Sequence, residues 1–147
     1  MCVCCSKAGV IGVKFHRGRR IVELLIDSRL PVDRNRLVFG RSRNVNELWV
    51  ALLEKAYAKL HRCYEALEGG FVDQALADLT GGVTSRFDLA KSETKAMVQN
   101  GSLWNTLLAY HQAGYLMGAG SPAGSDTEEN ASPLGIVQGH AYSILQL

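Results

Sequence analysis

The chain has 147 residues, of which 47% are hydrophobic and 20% charged, with a net charge of +2 and a mean hydropathy near zero. A globular chain of this size can bury a useful core as one domain or as parts of two. No apolar run approaches the ~20 residues that span a bilayer, and the start lacks the apolar stretch of a secretory signal, so a transmembrane segment is excluded and a cytoplasmic location is expected.

In chain order, Cys2, Cys4 and Cys5 crowd the start, and Cys63 is the remaining cysteine. This spacing suits neither a disulfide framework nor a paired C-x-x-C zinc knuckle. Acylation of the terminus, an upstream truncation or a misassigned start would each account for it. Val10 to His16 and Ile21 to Asp27 are β-branched runs separated by a turn containing Gly18, which predicts a hairpin. Pro31 and the polar run Asp33-Arg34-Asn35-Arg36 close it, and Leu37-Val38-Phe39 predicts a small strand. Between Lys14 and Arg43 nine basic residues face three acidic ones, which gives +6 there and leaves −4 for the rest. Without aromatic interleaving this basic hairpin is read as a solvated face, with peripheral contact to acidic lipid as the sharper alternative and no nucleic acid expected.

Asn44 or Asn46 is placed to cap the next element, with Glu47 in its first turn. Leu48, Trp49, Leu52, Leu53, Ala56, Tyr57 and Leu60 then recur at three- and four-residue steps, predicting an amphipathic helix of about four turns. Trp49 is expected in its core. Cys63, late in that segment beside Leu60 and Ala66, is expected to be a buried structural thiol. Val72 to Leu79 predicts a shorter helix stopped by Thr80-Gly81-Gly82. Beyond it, Phe87-Asp88-Leu89 predicts a short strand. Ser102 is a candidate N-cap for a helix from Leu103 to Gln112 that buries Trp104, Leu107, Leu108 and Tyr110 and ends at Gly114. A strand is expected over 115–119, an acidic loop over 120–133, and strand-like structure from Gly135 to Leu147, interrupted by Gly139. His16, His61 and His111 show no metal-ligand spacing and are read as surface or packing residues.

Several blocks, in order and at fitting spacing, resemble the calpain family of cysteine proteases. They are Ile26-Asp27-Ser28-Arg29-Leu30-Pro31, Leu37-Val38-Phe39, Glu47-Leu48-Trp49, the helix Leu52-Leu53-Glu54-Lys55-Ala56-Tyr57-Ala58-Lys59-Leu60, Tyr64-Glu65-Ala66-Leu67-Glu68-Gly69-Gly70, Asp78-Leu79-Thr80-Gly81-Gly82 and Gly139-His140-Ala141-Tyr142-Ser143. The resemblance implies an α+β fold, an incomplete papain-like core of two lobes. Residues 1–9 would be an unassigned Cys-rich terminus, 10–82 the later part of the helical lobe, and 83–147 the early part of the β-rich lobe.

The same resemblance makes His140 the catalytic histidine. Gly70 and Gly139 would be the glycines that pair with an extended protein substrate, and Glu47 would be one carboxylate of a calcium site in the helical lobe. Calcium belongs to the intact family, and this chain is expected to bind none tightly. No Gly-Asp-Cys-Trp block of the family's nucleophile occurs here, and the Asn-Pro-Trp-Gly block of its orienting asparagine would follow Leu147. Ser28 stands where the family often has aspartate, Arg62 where glycine is usual, and Gln138 in place of a lysine. The 147 residues are therefore read as a piece of a calcium-dependent cysteine endopeptidase that is inactive alone. A non-catalytic calpain-like scaffold is the alternative, and a basic module tethered through Cys2, Cys4 and Cys5 comes third.

Overall fold

A computed structural model describes residues 9–44, 46–122 and 135–147, together with the backbone of Val3–Cys5. The acylation reading of Cys2, Cys4 and Cys5 and most of the acidic loop fall outside the described residues. The elements are of both kinds, so the fold is α+β. The described residues divide into two compact units, one drawn from Met1–Gly70 and Ala77–Gly82, the other from Phe71–Leu76 and Val83–Leu147.

The first unit is built on a three-stranded antiparallel sheet in the order β1 (Val3–Cys5), β2 (Val10–Arg17) and β3 (Arg20–Asp27). Alternation sets its two faces, because successive strand side chains point oppositely. Ile11, Val13 and Phe15 are buried while Lys14 is exposed. The register pairs Ile11 with Ile26 and Val13 with Leu24, so both strands turn their apolar sides to one core. The turn expected around Gly18 is a two-residue loop, Gly18-Arg19, between the paired Arg17 and Arg20. A second hairpin joins β4 (Val32–Asp33) to β5 (Arg36–Leu37), with positive φ at both Arg34 and Asn35, the signature of a type I′ turn. The small strand expected at 37–39 is thus displaced to Arg36–Leu37. All nine basic residues of the Lys14–Arg43 stretch are exposed.

Helix α1 (Trp49–Leu60) lays Leu52, Leu53, Ala56, Tyr57 and Leu60 on the sheet. Its 12 residues make a little over three turns, shorter than expected. Leu48 occupies the N-cap with no side-chain cap bond, so neither Asn44 nor Asn46 caps the helix and Glu47 lies ahead of its first turn. Trp49 opens the helix, a turn before the sheet-facing residues begin, and it is 55% exposed rather than buried. Two lysines bind α1 to the end of β3. Lys55 Nζ donates to Asp27 Oδ1 at 2.6 Å and to the carbonyls of Asp27 and Arg29, and Lys59 Nζ donates to the carbonyl of Leu25 at 2.7 Å. After the C-cap His61, Arg62 takes a left-handed φ of 89°. Cys63 follows it in an exposed bend, not in the core as its spacing from Leu60 and Ala66 suggested.

A single 3₁₀ turn (Glu65–Leu67) precedes helix α2 (Val72–Thr80). The first unit is completed by the C-terminal half of α2, from which Leu79 joins the core. In the second unit, α3 (Ser92–Gln99) packs on α4 (Ser102–Gln112). No strand forms at Phe87-Asp88-Leu89. Asp88 instead makes a turn, its carboxylate accepting the Ala90 N–H at 3.0 Å and its carbonyl the Lys91 N–H, and this turn leads into α3. Ser102 is the first residue of α4 and not its cap. Gly101 holds the cap position, and the Asn100 side chain accepts the Ser102 N–H at 2.9 Å. Leu103 is the buried residue of α4, and Trp104, one position round the helix, is 55% exposed. Strands β6 (Met117–Gly120) and β7 (Ala141–Ile144) pair antiparallel, Met117 with Ile144 and Gly120 with Ala141. Of the strand-like stretch from Gly135 to Leu147, only these four residues of β7 are strand.

Candidate active site

His140 stands immediately before β7, exposed to solvent. Gly139 turns the chain into it with a φ of 61°, a left-handed conformation that side-chain-bearing residues rarely adopt. The Gly139 N–H donates to the Pro122 carbonyl at 2.9 Å. Ser121, the residue after β6, brackets the histidine backbone. The His140 N–H donates to Ser121 Oγ at 3.0 Å, and the Ser121 N–H donates to the His140 carbonyl at 2.9 Å. The imidazole meets the Tyr142 ring edge-on, with centroids 5.0 Å apart and planes at 76°. Among the described residues no hydrogen bond or ion pair occupies its nitrogens. Such an imidazole is available to take and return a proton at the surface.

Gly139 and His140 are thus neighbours in the second unit, whereas Gly70 and Glu47 belong to the first. Gly70 is exposed in the link between the 3₁₀ turn and α2, with open space where a side chain would begin. Glu47 is exposed too, and its carboxylate accepts the Ser42 hydroxyl at 2.8 Å and the Asn44 amide at 3.2 Å. These bonds, Ser42 first and Asn44 second, hold the carboxyl below its usual range. An ionised carboxylate suits a calcium ligand, but calcium takes about 6–8 oxygens. Among the described residues no group of three or more His, Cys, Asp or Glu could hold a metal. Glu47 alone therefore does not make the site.

A polar cluster in the first unit escaped the sequence reading. Asp78 of α2 is 6% exposed and accepts the Tyr57 hydroxyl at 3.1 Å, with Arg17 and His61 each 3.8 Å from the same oxygen. The signal was Tyr57 itself, because a tyrosine on an inward helix face needs a partner for its hydroxyl.

The sequence comparisons decide the family. The model of the calpain family of cysteine proteases matches residues 4–147. The chain belongs to that family. Calpain-type cysteine protease DEK1 of Arabidopsis thaliana is 48% identical over 143 residues, which cover 97% of this chain and 7% of that protein. Calpain-B of Drosophila melanogaster is 39% identical over 140 residues, 95% of this chain and 14% of that protein. Calpain-5 of Mus musculus is 38% identical over 141 residues, 95% of this chain and 22% of that protein. The chain therefore spans less than a quarter of each of these calpain relatives.

Proposed function

We propose that these residues are the histidine-bearing part of a calpain-type, calcium-dependent cysteine endopeptidase core with papain-like lobes, acting on proteins in the cytoplasm. The observation that carries the reading is His140 itself, an exposed imidazole without a hydrogen-bond partner among the described residues, set on a backbone held by Ser121 and Gly139. In this chemistry a cysteine thiolate attacks the peptide carbonyl carbon. The imidazolium then gives its proton to the departing amine nitrogen, and water later releases the acyl group from sulfur. Gly139 and Gly70 offer backbone to an extended substrate, where the absence of a side chain permits close approach. Glu47 supplies one carboxylate to a calcium site whose other ligands come from elsewhere. When bound, calcium supplies positive charge that organises the carboxylates around it.

None of the four cysteines lies in a Gly-Asp-Cys-Trp setting. The 147 residues alone are accordingly expected to cleave nothing, because an imidazole with no thiolate has nothing to activate. The test compares casein hydrolysis, with and without calcium, by the protease that contains these residues and by its His140→Ala form. The substitution is expected to lower kcat by about 10⁴-fold or more. Undiminished hydrolysis in His140→Ala would remove the reading in favour of a calpain-like scaffold that acts by binding. Alkylation-sensitive cleavage by the 147 residues alone would instead assign the nucleophile to one of their own thiols.

A further inference from the structure

We propose that Ser121 is a positioning residue for His140, a reading that rests on the catalytic role given to His140 above. One serine engages both backbone polar groups of the histidine. Ser121 Oγ accepts the His140 N–H at 3.0 Å, and the Ser121 N–H donates to the His140 carbonyl at 2.9 Å. The hydroxyl has a single proton and two carbonyls in reach, Val137 at 2.6 Å and His140 at 3.2 Å. The shorter bond takes the proton, so Oγ donates to Val137 while it accepts from His140. The Val137 N–H in turn donates to the Tyr142 hydroxyl at 2.9 Å, and the Gly139 N–H to the Pro122 carbonyl at 2.9 Å.

These bonds form a closed clasp. β6 leads into Ser121, the Val137–Gly139 turn is tied to Ser121, Pro122 and Tyr142, and β7 begins where His140 is held from both sides. The side chain of Tyr142 completes it by standing edge-on to the imidazole while its hydroxyl anchors Val137. A general base must sit within a few tenths of an ångström of its working position, since a displacement of about 1 Å can cost ~10²-fold in rate. The backbone reference of the histidine is Ser121, the residue that follows β6.

The experiment uses the protease that contains these residues, with serine kept, with Ser121→Ala and with Ser121→Thr. Amide hydrogen exchange of His140 and the imidazole proton resonances of His140 are read by NMR, with the α4 amides as the fold reference. Ser121→Ala is expected to speed His140 amide exchange at least ~10-fold. It is also expected to move the imidazole resonances toward free-histidine values as the ring leaves Tyr142, with α4 unchanged. Ser121→Thr, which keeps the hydroxyl, is expected to restore both. Where Ser121→Ala loosens α4 as well, Ser121→Cys keeps the volume, weakens only the hydrogen bonds, and is read in the same way. Unchanged exchange and resonances in these variants overturn the clasp. In the protease that contains these residues, Ser121→Ala is expected to lower kcat about 10- to 100-fold with KM little altered. A silent His140→Ala in that protease would sink the catalytic reading while leaving the clasp to stand or fall on exchange.

Discussion

The Tyr57–Asp78 pair shows how one buried carboxylate fixes the chemistry of its neighbours. Burial, then the charge of Asp78, then the hydrogen bond to it push the Tyr57 phenol up to about 12, while Arg17 opposes them. Below the usual tyrosine range the phenol is neutral in folded and unfolded chains alike, and its contribution to stability is fully present. Above it the unfolded chain ionises first, so stability falls as pH climbs toward 12. Urea midpoints at about pH 9 and about pH 11 should separate for the unaltered chain and draw together in Tyr57→Phe. Arg62 makes a second point at this scale. It holds a φ of 89° just past the C-cap of α1, a left-handed position that glycine fills without strain. A left-handed side-chain-bearing residue costs roughly 1–2 kcal/mol, and glycine's extra freedom in the unfolded chain returns about 0.4–1 kcal/mol of that. Arg62→Gly is therefore expected to raise unfolding stability by about 0.5–1 kcal/mol in a urea titration.

The pairing of β6 with β7 depends on a close approach. A side-chain carbon at Gly118 would lie 2.6 Å from Val72 Cγ1 of α2 and 3.1 Å from the Tyr142 carbonyl. Gly118→Val should cost roughly 1–3 kcal/mol by overpacking. It should also weaken the protection of the β7 amides, read by hydrogen exchange. Which elements were legible in the sequence follows from how each is stabilised. The β2–β3 hairpin and α1 carry their apolar periods openly, because one face of each is buried in the same core. Helix α3 was missed, since Ser92-Glu93-Thr94-Lys95-Ala96-Met97-Val98-Gln99 has little apolar period of its own and is held by packing on α4. The strand at 87–89 was lost to the Asp88 side chain, which bonds the backbone locally in competition with any ladder. At the site, the expectation for His140 rests on the family blocks around it. No such block points to Ser121, because its bonds are to backbone partners that no spacing of residue types encodes.

Each unit of the molecule has a small interior. Buried apolar residues of the first are Ile11, Val13, Phe15, Ile26, Ala51, Ala56 and Ala58, while Leu103 is the buried apolar residue described in the second. Large apolar side chains stay in solvent, among them Trp49, Phe71, Trp104, Leu116 and Leu145. Cores of this size rarely supply more than about 3–5 kcal/mol, and exposed apolar surface of this kind attracts partners or self-association. The purified 147-residue chain is expected to bind a hydrophobic dye strongly and to melt broadly; a sharp melt of a monomer that ignores the dye would contradict this.

The two amines that α1 lays against β3 have a consequence for chemical modification. β3 is the last strand of its sheet, and its outer carbonyls would otherwise be open to a foreign strand. Lys59 occupies that of Leu25 and Lys55 that of Asp27, and Lys55 also reaches the carbonyl of Arg29 just past the strand. Acetylating these two lysines would strip both charge and donors from the rim, so that a repair of solubility elsewhere could not prevent chains from stitching together there.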